Sequence, residues 1–167
     1  MTIPKRPTIY TLGYSGWKIE QIEAVLARLD AILIDVRMVP RSRAPIWNSG
    51  VLARRLGEAS KDPAGQYVWL KEFGNRNYKG TFEQIEIADF PAGEQRLREL
   101  LGLDDTGPAL RSFSGAGKAV ILLCGCPDVN VCHRKLLADW LAHRWKTQVE
   151  HLTRPDNRNS GRQPTLF

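Results

Sequence analysis

The sequence has few of the features that mark an exported, membrane-spanning or disulfide-bonded protein. Its 167 residues include only three cysteines, and residues 1–7 (MTIPKRP) lack the apolar segment of an export signal. The longest apolar runs, such as AVILLC, are far shorter than the roughly 20 residues that cross a bilayer. We therefore expect a protein of the reducing cytoplasm that does not associate with membranes.

The sequence is also short of acidic residues. Lys and Arg outnumber Asp and Glu by 24 to 18, which gives a formal net charge of +6. An excess of basic residues favours anionic partners such as nucleic acid, nucleotides or other phosphate-bearing small molecules. A chain of this length fits one domain and buries enough apolar surface to fold without a disulfide or a metal.

Strand and helix patterns alternate along the chain. Residues 8–12, 31–36, 66–70, 118–124 and 148–152 are β-branched or continuously apolar and predict strands. Helical spacing of apolar residues predicts helices at 19–29, 51–59, 92–101 and 130–144, and a short one near 108–114. Such alternation indicates right-handed crossovers. We predict a single three-layer α/β/α domain with a mainly parallel sheet over residues 1–152.

Ligands bind outside the carboxyl ends of the strands in open parallel sheets, and the first such loop is LGYSGW. Gly13, Tyr14 and Ser15 combine close backbone approach, a hydroxyl and a helix N-terminus that favours anions. Alternatively, the glycines only turn the chain, and Ser15 or a neighbour caps the helix.

The second loop follows the buried strand in LIDVRMVPRSRAPIW. Arginine side chains match phosphate or carboxylate groups, so Arg37 and Arg41 are candidate anion ligands. Asp35 would orient an arginine or accept a hydrogen bond from a ribose hydroxyl. Alternatively, Asp35 and Arg37 form a purely structural ion pair at the strand end.

The third loop contains all three cysteines, in LLCGCPDVNVCHR. Cys124, Cys126, Cys132 and His133 form a C-x-C-x5-C-H pattern that offers four soft ligands. Tetrahedral zinc sites usually consist of two spaced pairs, however, and adjacent Cys132 and His133 would both have to reach one ion. We therefore predict no metal ion and no cofactor.

A reactive thiol explains the same residues better. Cys132 is predicted near the start of a helix, where the helix dipole, Arg134 and an imidazole would lower the thiol pKa. We expect Cys132 and Cys126 to be functional, and Cys124, at the end of a buried strand, to be an ordinary core residue. A cation at position 134 in the first helical turn suggests an anionic partner, although Arg134 could instead pair with a nearby aspartate.

Four segments taken together, TLGYS, LIDVRMVPRSR, WLKEFGN and LLCGCPDVNVCHR, resemble the domain-of-unknown-function 488 family from about residue 10 to 151. The resemblance implies an α/β fold and a shared site but no established activity. Many relatives carry a histidine in place of Tyr14 and an acidic residue in place of Cys126, so it implies no base at either position here. The motif positions on this chain are Gly13, Ser15, Asp35, Arg37, Pro40, Ser42, Leu70, Gly74, Cys124, Cys132, His133 and Arg134.

The last residues suggest a partner. Gln163, Leu166 and Phe167 resemble the short peptides by which bacterial DNA-repair and replication proteins dock on the sliding clamp. The polar composition of residues 153–167 predicts a flexible tail, the expected setting for such a peptide. Alternatively, Leu166 and Phe167 pack on the surface of the domain itself.

Three functions remain open from the sequence. The first is a thiol-dependent enzyme that acts on a nucleotide or nucleic acid, in DNA repair or modification. Cys132 would be its nucleophile, assisted by His133, while Arg37, Arg41 and Arg134 hold phosphate. The second is a non-catalytic nucleic-acid or clamp-binding module with packed cysteines. The third is a rhodanese-like sulfurtransferase, which the LIDVR segment resembles, although the C-R-x-G-x-R loop of that family is missing.

Overall fold

The computed structural model describes residues 7–103 and 118–155. Five strands lie in this part of the chain: β1 (Ile9–Gly13), β2 (Ala31–Asp35), β3 (Tyr67–Trp69), β4 (Ala119–Cys124) and β5 (Val149–Leu152). They form one sheet in the order β3-β2-β4-β1-β5, and all neighbours are parallel. The predicted α/β fold with a parallel sheet is confirmed.

The sheet is buried on both faces, which explains the continuous apolar runs in its strands. Leu33 and Ile34 are adjacent in β2 and both fully buried, but they belong to different core clusters because successive side chains point to opposite faces. Burial of a side chain of this size contributes about 1.5–3 kcal/mol. The alternating residues of each strand therefore hold a layer of helices on either side.

Two helices cover each face. Helices α1 (Ile19–Leu29) and α2 (Ser49–Leu56) pack in one core cluster, and α3 (Phe90–Leu101) and α4 (His133–Trp145) pack in the other. None of the helices in the described residues is both long enough and apolar enough to span a bilayer.

Local capping explains where the helix bounds differ from the predicted ones. Helix α3 begins at Phe90, earlier than predicted, where the Asp89 carboxylate accepts a hydrogen bond from the Ala92 amide at 3.1 Å. Helix α4 begins at His133 rather than at residue 130, because residues 129–131 form a separate 3₁₀ turn. The short helix predicted near residues 108–114 lies outside the described residues.

The strand register sets the position of the site. Gly13 at the end of β1 pairs with Cys124 at the end of β4, and Asp35 at the end of β2 pairs with Leu123. Three strand ends are therefore level at the carboxyl edge of the sheet. The loops that follow these strands carry the residues singled out by the sequence.

Candidate functional site

A pocket of about 380 Å³ opens at this carboxyl edge. Buried residues at the end of β4 and the start of α4 form its floor, and the loops after β1 and β2 form two walls. The pocket is lined by six of the residues expected at the site: Tyr14, Arg37, Arg41, Cys126, Cys132 and His133.

Asp35 and Arg37 form a buried ion pair beside the pocket. The Asp35 carboxylate accepts hydrogen bonds from Arg37 Nε at 2.9 Å, from Arg37 Nη2 at 2.6 Å and from the Tyr67 hydroxyl at 2.6 Å. Burial acts to lower the pKa of Arg37, but the hydrogen bonds and charge of Asp35 outweigh it and raise that pKa above its ordinary value. The carboxylate is fully used inside the protein, so Asp35 does not line the pocket.

The two terminal nitrogens of Arg37 differ in how firmly they are held. Its Nη2 also donates to the Trp47 carbonyl at 2.6 Å, whereas the one partner of Nη1 among the described residues is the Tyr14 hydroxyl, at 3.4 Å. The Tyr14 ring stacks on Trp47 with centroids 4.7 Å apart, and the Arg37 guanidinium lies 5.2 Å from the Tyr14 centroid. These contacts fix the tyrosine at the pocket wall.

The first loop is tied to the third. Ser15 Oγ donates to the Gly125 carbonyl at 2.6 Å and does not cap α1, which begins four residues later at Ile19. A Cβ at Gly13 would overlap the carbonyl oxygen of Cys126, so glycine is required there by close backbone approach. Gly13 and Ser15 therefore hold two loops together and do not line the pocket.

The cysteines and His133 form a cluster at the pocket floor. His133 Nδ1 lies 4.0 Å from Cys124 Sγ and 3.9 Å from Cys132 Sγ, and these three atoms are all within 4.8 Å of one another. Cys126 lines the pocket together with these three residues. Cys124, which the sequence indicated as an ordinary core residue, is thus part of the cluster.

The three thiols influence one another's ionisation, so their pKa values move in different directions. Hydrogen bonds from Cys126 and Cys132 hold the pKa of Cys124 well below its ordinary value. Hydrogen bonding to Cys124 and burial raise the pKa of Cys132, which is 1% exposed. The lowered pKa expected for Cys132 at the start of a helix is therefore wrong. Burial and the interaction with the other thiols both disfavour a thiolate at Cys132.

His133 has a defined tautomer. Its Nε2 lies 2.7 Å from the Val36 carbonyl oxygen, which can only accept a hydrogen bond, so Nε2 carries the hydrogen. The lone pair of neutral imidazole is then on Nδ1, directed at Cys124 and Cys132. Burial lowers the pKa of His133, which favours this neutral form.

Arg134 is buried behind the cluster and is 3% exposed. Its Nη1 donates to the Cys126 carbonyl at 2.6 Å, whereas its buried Nε has no hydrogen-bond partner among the described residues. In residues 7–103 and 118–155 no carboxylate lies within ion-pairing distance of it. The alternative that Arg134 pairs with a nearby aspartate is therefore wrong in the described part of the chain, and its guanidinium lies beside Gly13 and the Cys126 carbonyl instead.

One wall of the pocket comes from a loop that the sequence analysis did not assign to the site. Residues 75–85 contribute Tyr78 and Phe82, which are exposed and line the pocket. Asn75 shapes this loop, since its buried side-chain oxygen accepts hydrogen bonds from the amides of Asn77 and Glu86 at 3.0 and 2.9 Å. The sequence feature that could have pointed to this wall is the occurrence of aromatic residues in a polar, glycine-containing loop.

Of the remaining residues predicted for the site or for partner binding, one lines the pocket, one supports a loop and three lie outside the described residues. Arg41 is exposed and lines the pocket. Ser42 lies outside the lining and supports the loop: its amide donates to Asn48 Oδ1 at 2.8 Å and its hydroxyl accepts from the Ala44 amide at 3.3 Å. Gln163, Leu166 and Phe167 lie outside the described residues.

Comparison with known proteins gives one match. The family model described as "Domain of unknown function DUF488" matches residues 18–141. This range includes the second and third loops with all three cysteines, and it begins after Ser15. No curated protein and no solved structure matches the chain.

Proposed function

Since the chain belongs to the DUF488 family, whose description names no activity, we propose a function from the pocket itself. The protein is a thiol-dependent enzyme that binds a nucleotide, free or within a nucleic-acid strand, and acts on it at the cysteine cluster. Work in the cytoplasm on DNA under repair or modification is part of the same proposal.

The distribution of exposed apolar side chains carries this proposal. Five large apolar side chains are exposed in the described residues, and four of them line the pocket at the carboxyl edge: Val39, Tyr78, Phe82 and Val131. The fifth, Trp140, packs edge-on against Phe90 away from the pocket. Exposed apolar groups gathered around a pocket favour a ligand with a flat, apolar part, and aromatic rings offer stacking to a nucleobase.

The charge around the pocket supports a phosphate-bearing ligand. Arg37 and Arg41 line it, and no carboxylate does so among the described residues. A second hollow of about 280 Å³ adjoins it through Tyr78 and is lined by Arg76 and Lys79. Phosphates next to a base bound at Tyr78 would thus meet positive charge on both sides.

The cluster supports a role for thiols, although not the one expected for Cys132. Cys126 is the only half-exposed cysteine, whereas Cys124 and Cys132 are buried. A ligand in the pocket would therefore meet Cys126 first. We assign the substrate-facing role to Cys126, and to Cys124, Cys132 and His133 the support of that thiol.

Equilibrium binding tests the proposal. Fluorescence anisotropy with a labelled single-stranded oligonucleotide, and competition by mononucleotides, distinguish a strand from a free nucleotide. Tyr78→Ala should weaken binding by about 1–3 kcal/mol, the contribution of one stacked base. Trp140→Ala, an exposed aromatic away from the pocket, is the matched control and should leave affinity unchanged.

A second pair of variants tests the charge. Arg41→Ala should weaken binding to all sequences alike and reduce the slope of affinity against salt by about one phosphate contact. Arg43→Ala, an exposed arginine of the same loop outside the pocket lining, should change neither. Equal losses in Arg41→Ala and Arg43→Ala, or no loss in Tyr78→Ala, would contradict the proposal.

Catalysis needs its own measurement. Mass spectrometry of oligonucleotides and nucleotides incubated with the protein should reveal a product that Cys126→Ser does not form. Unchanged ligand mass with normal binding would favour the non-catalytic binding module.

A further inference from the structure

We propose that Cys124, Cys132 and His133 bind one divalent metal ion of the zinc class, whose fourth coordination position faces the pocket beside Cys126. This inference goes beyond the proposed function, because ion binding requires no nucleotide. It also differs from the prediction from spacing alone that no metal binds here.

The three ligand atoms are arranged as such an ion requires. Zn–S bonds of about 2.3 Å and Zn–N bonds of about 2.0–2.1 Å at tetrahedral angles put sulfur and nitrogen roughly 3.6 Å apart. His133 Nδ1 lies 4.0 and 3.9 Å from the sulfurs of Cys124 and Cys132. The two sulfur atoms lie within 4.8 Å of each other and would have to approach to about 3.8 Å. The S–N distances need shifts of only a few tenths of an ångström, and side-chain rotations can supply both changes.

The backbone at the start of α4 removes the objection to adjacent ligands. Cys132 is extended, with φ −114° and ψ 141°, and His133 is the first helical residue. This change of direction lets neighbouring side chains converge on one point. Cys124 reaches the same point from the end of β4.

The histidine is held as a metal ligand usually is. A ligating histidine donates its other ring N–H to a carbonyl or carboxylate, which fixes the ring and the tautomer. His133 Nε2 meets the Val36 carbonyl at 2.7 Å, and Val36 is fully buried. The lone pair of Nδ1 is thereby directed at the two cysteines.

Arg134 supplies the charge argument. Two thiolates and a divalent ion are neutral together, so an anionic group at the fourth position would balance the buried guanidinium. Arg134 Nη1 already donates to the Cys126 carbonyl at 2.6 Å, and its Nε is buried without a partner. Three-ligand zinc sites keep the fourth position for water or a substrate atom. Thiolate and imidazole ligands favour zinc over magnesium or calcium.

Elemental analysis of the full-length, tag-free protein, purified without chelator under reducing conditions, tests the inference. We expect about one zinc-class ion per chain. Exchange for Co²⁺ should give sulfur-to-cobalt charge-transfer absorption and strong visible bands of tetrahedral cobalt. Cys132→Ala and His133→Gln should weaken binding more than about 100-fold, beyond the loss caused by removing an outer-shell partner.

Two matched variants and one wild-type measurement complete the test. Cys126→Ser should keep the ion but change the cobalt spectrum, and His151→Gln should change neither. Because Cys132→Ala could fail to fold, alkylation of wild-type protein is compared with and without Zn²⁺, which should protect Cys124 and Cys132. A wild-type protein that binds neither Zn²⁺ nor Co²⁺ would refute the site, and loss of the ion in Cys126→Ser would refute the open fourth position.

These outcomes are independent of the nucleotide. Ion content is measured without any ligand, and oligonucleotide binding is measured again after chelation. A protein that binds the metal ion but no nucleotide would support this inference and refute the proposed function. A protein that binds a nucleotide but no metal ion would support the proposed function and refute this inference.

Discussion

Replacing Asp35 by asparagine removes a negative charge from a fully buried position while keeping the size of the side chain. The native carboxylate accepts hydrogen bonds from the backbone amide, Nε and Nη2 of Arg37 and from the Tyr67 hydroxyl. Asparagine would leave the Arg37 guanidinium buried without a counter-charge. Removal of one partner from a buried pair costs about 3–5 kcal/mol, so we expect Asp35→Asn to lower the free energy of unfolding by that amount.

A surface ion pair with a similar nitrogen–oxygen distance provides the control for Asp35→Asn. Arg55 Nη2 lies 2.7 Å from Glu23 Oε1, but both side chains are more than a third exposed. Solvent screens such a pair, so Glu23→Gln should cost far less than Asp35→Asn. Tyr67→Phe, which removes one hydrogen bond to the charged group, should fall between them at about 1.5–3 kcal/mol.

Urea unfolding followed by circular dichroism measures all three variants, and the slopes must agree for the midpoints to be compared. If Asp35→Asn costs no more than Glu23→Gln, the Asp35–Arg37 ion pair does not stabilise the fold. Our description of Arg37 as held in place by Asp35 would then be refuted.

Three further predictions test other parts of the structure. Gly13→Ala should lower the free energy of unfolding by about 3 kcal/mol or more, because the added Cβ would overlap with the Cys126 carbonyl. Gly50→Ala, on the exposed side of α2, should instead raise the free energy of unfolding by about 0.5–1 kcal/mol. Equal effects of the two variants in urea unfolding would contradict this prediction. Burial lowers the pKa of His151, so its share of stability is present above about pH 6.5 and is lost as the pH falls through the lower folded-state pKa. His151→Gln should flatten that part of the curve of melting temperature against pH, and an unchanged curve would count against it. Deletion of residues 163–167 should abolish binding to a bacterial sliding clamp in surface plasmon resonance without changing the melting temperature, and retained binding would exclude the tail as the docking peptide.

The fold could be predicted because the central strands β1, β2 and β4 are buried on both faces. AVILLC in β4 and AILID in β2 are continuous apolar runs, and helical spacing between such runs leaves few alternatives to a parallel α/β sheet. The bounds of α3 and α4 depend on the Asp89 cap and on the 3₁₀ turn at residues 129–131. These are contacts of one or two hydrogen bonds, which apolar periodicity does not encode.

The site could be predicted in location but not in the roles of its residues. The loops were expected to converge at the carboxyl edge, and Tyr14, Arg37, Arg41 and Cys126 do line one pocket there. The pKa of Cys132 was predicted in the wrong direction, because a helix start can be read from sequence and contact with two other thiols cannot. Asp35 serves in the ion pair with Arg37, and Cys124 belongs to the cysteine cluster. Both roles depend on the register between β1, β2 and β4, which the sequence does not show.

The aromatic wall was missed for a different reason. Tyr78 and Phe82 belong to a loop about 40 residues from any cysteine in sequence, and nothing in their spacing links them to the strand ends. Hydrogen bonds to the Asn75 side chain hold this loop at the pocket. Contacts of this kind become visible only once the chain is folded.

Photocrosslinking tests the central claim, that a nucleotide binds in this pocket, most directly. An oligonucleotide carrying one photoreactive base is irradiated with the wild-type protein, and the adduct is mapped by mass spectrometry of the peptides. The proposed function predicts adducts on the segment containing Tyr78 and Phe82, lost when excess unmodified ligand competes. Adducts confined to other surfaces, such as the one around Trp140, or unaffected by competition, would contradict it.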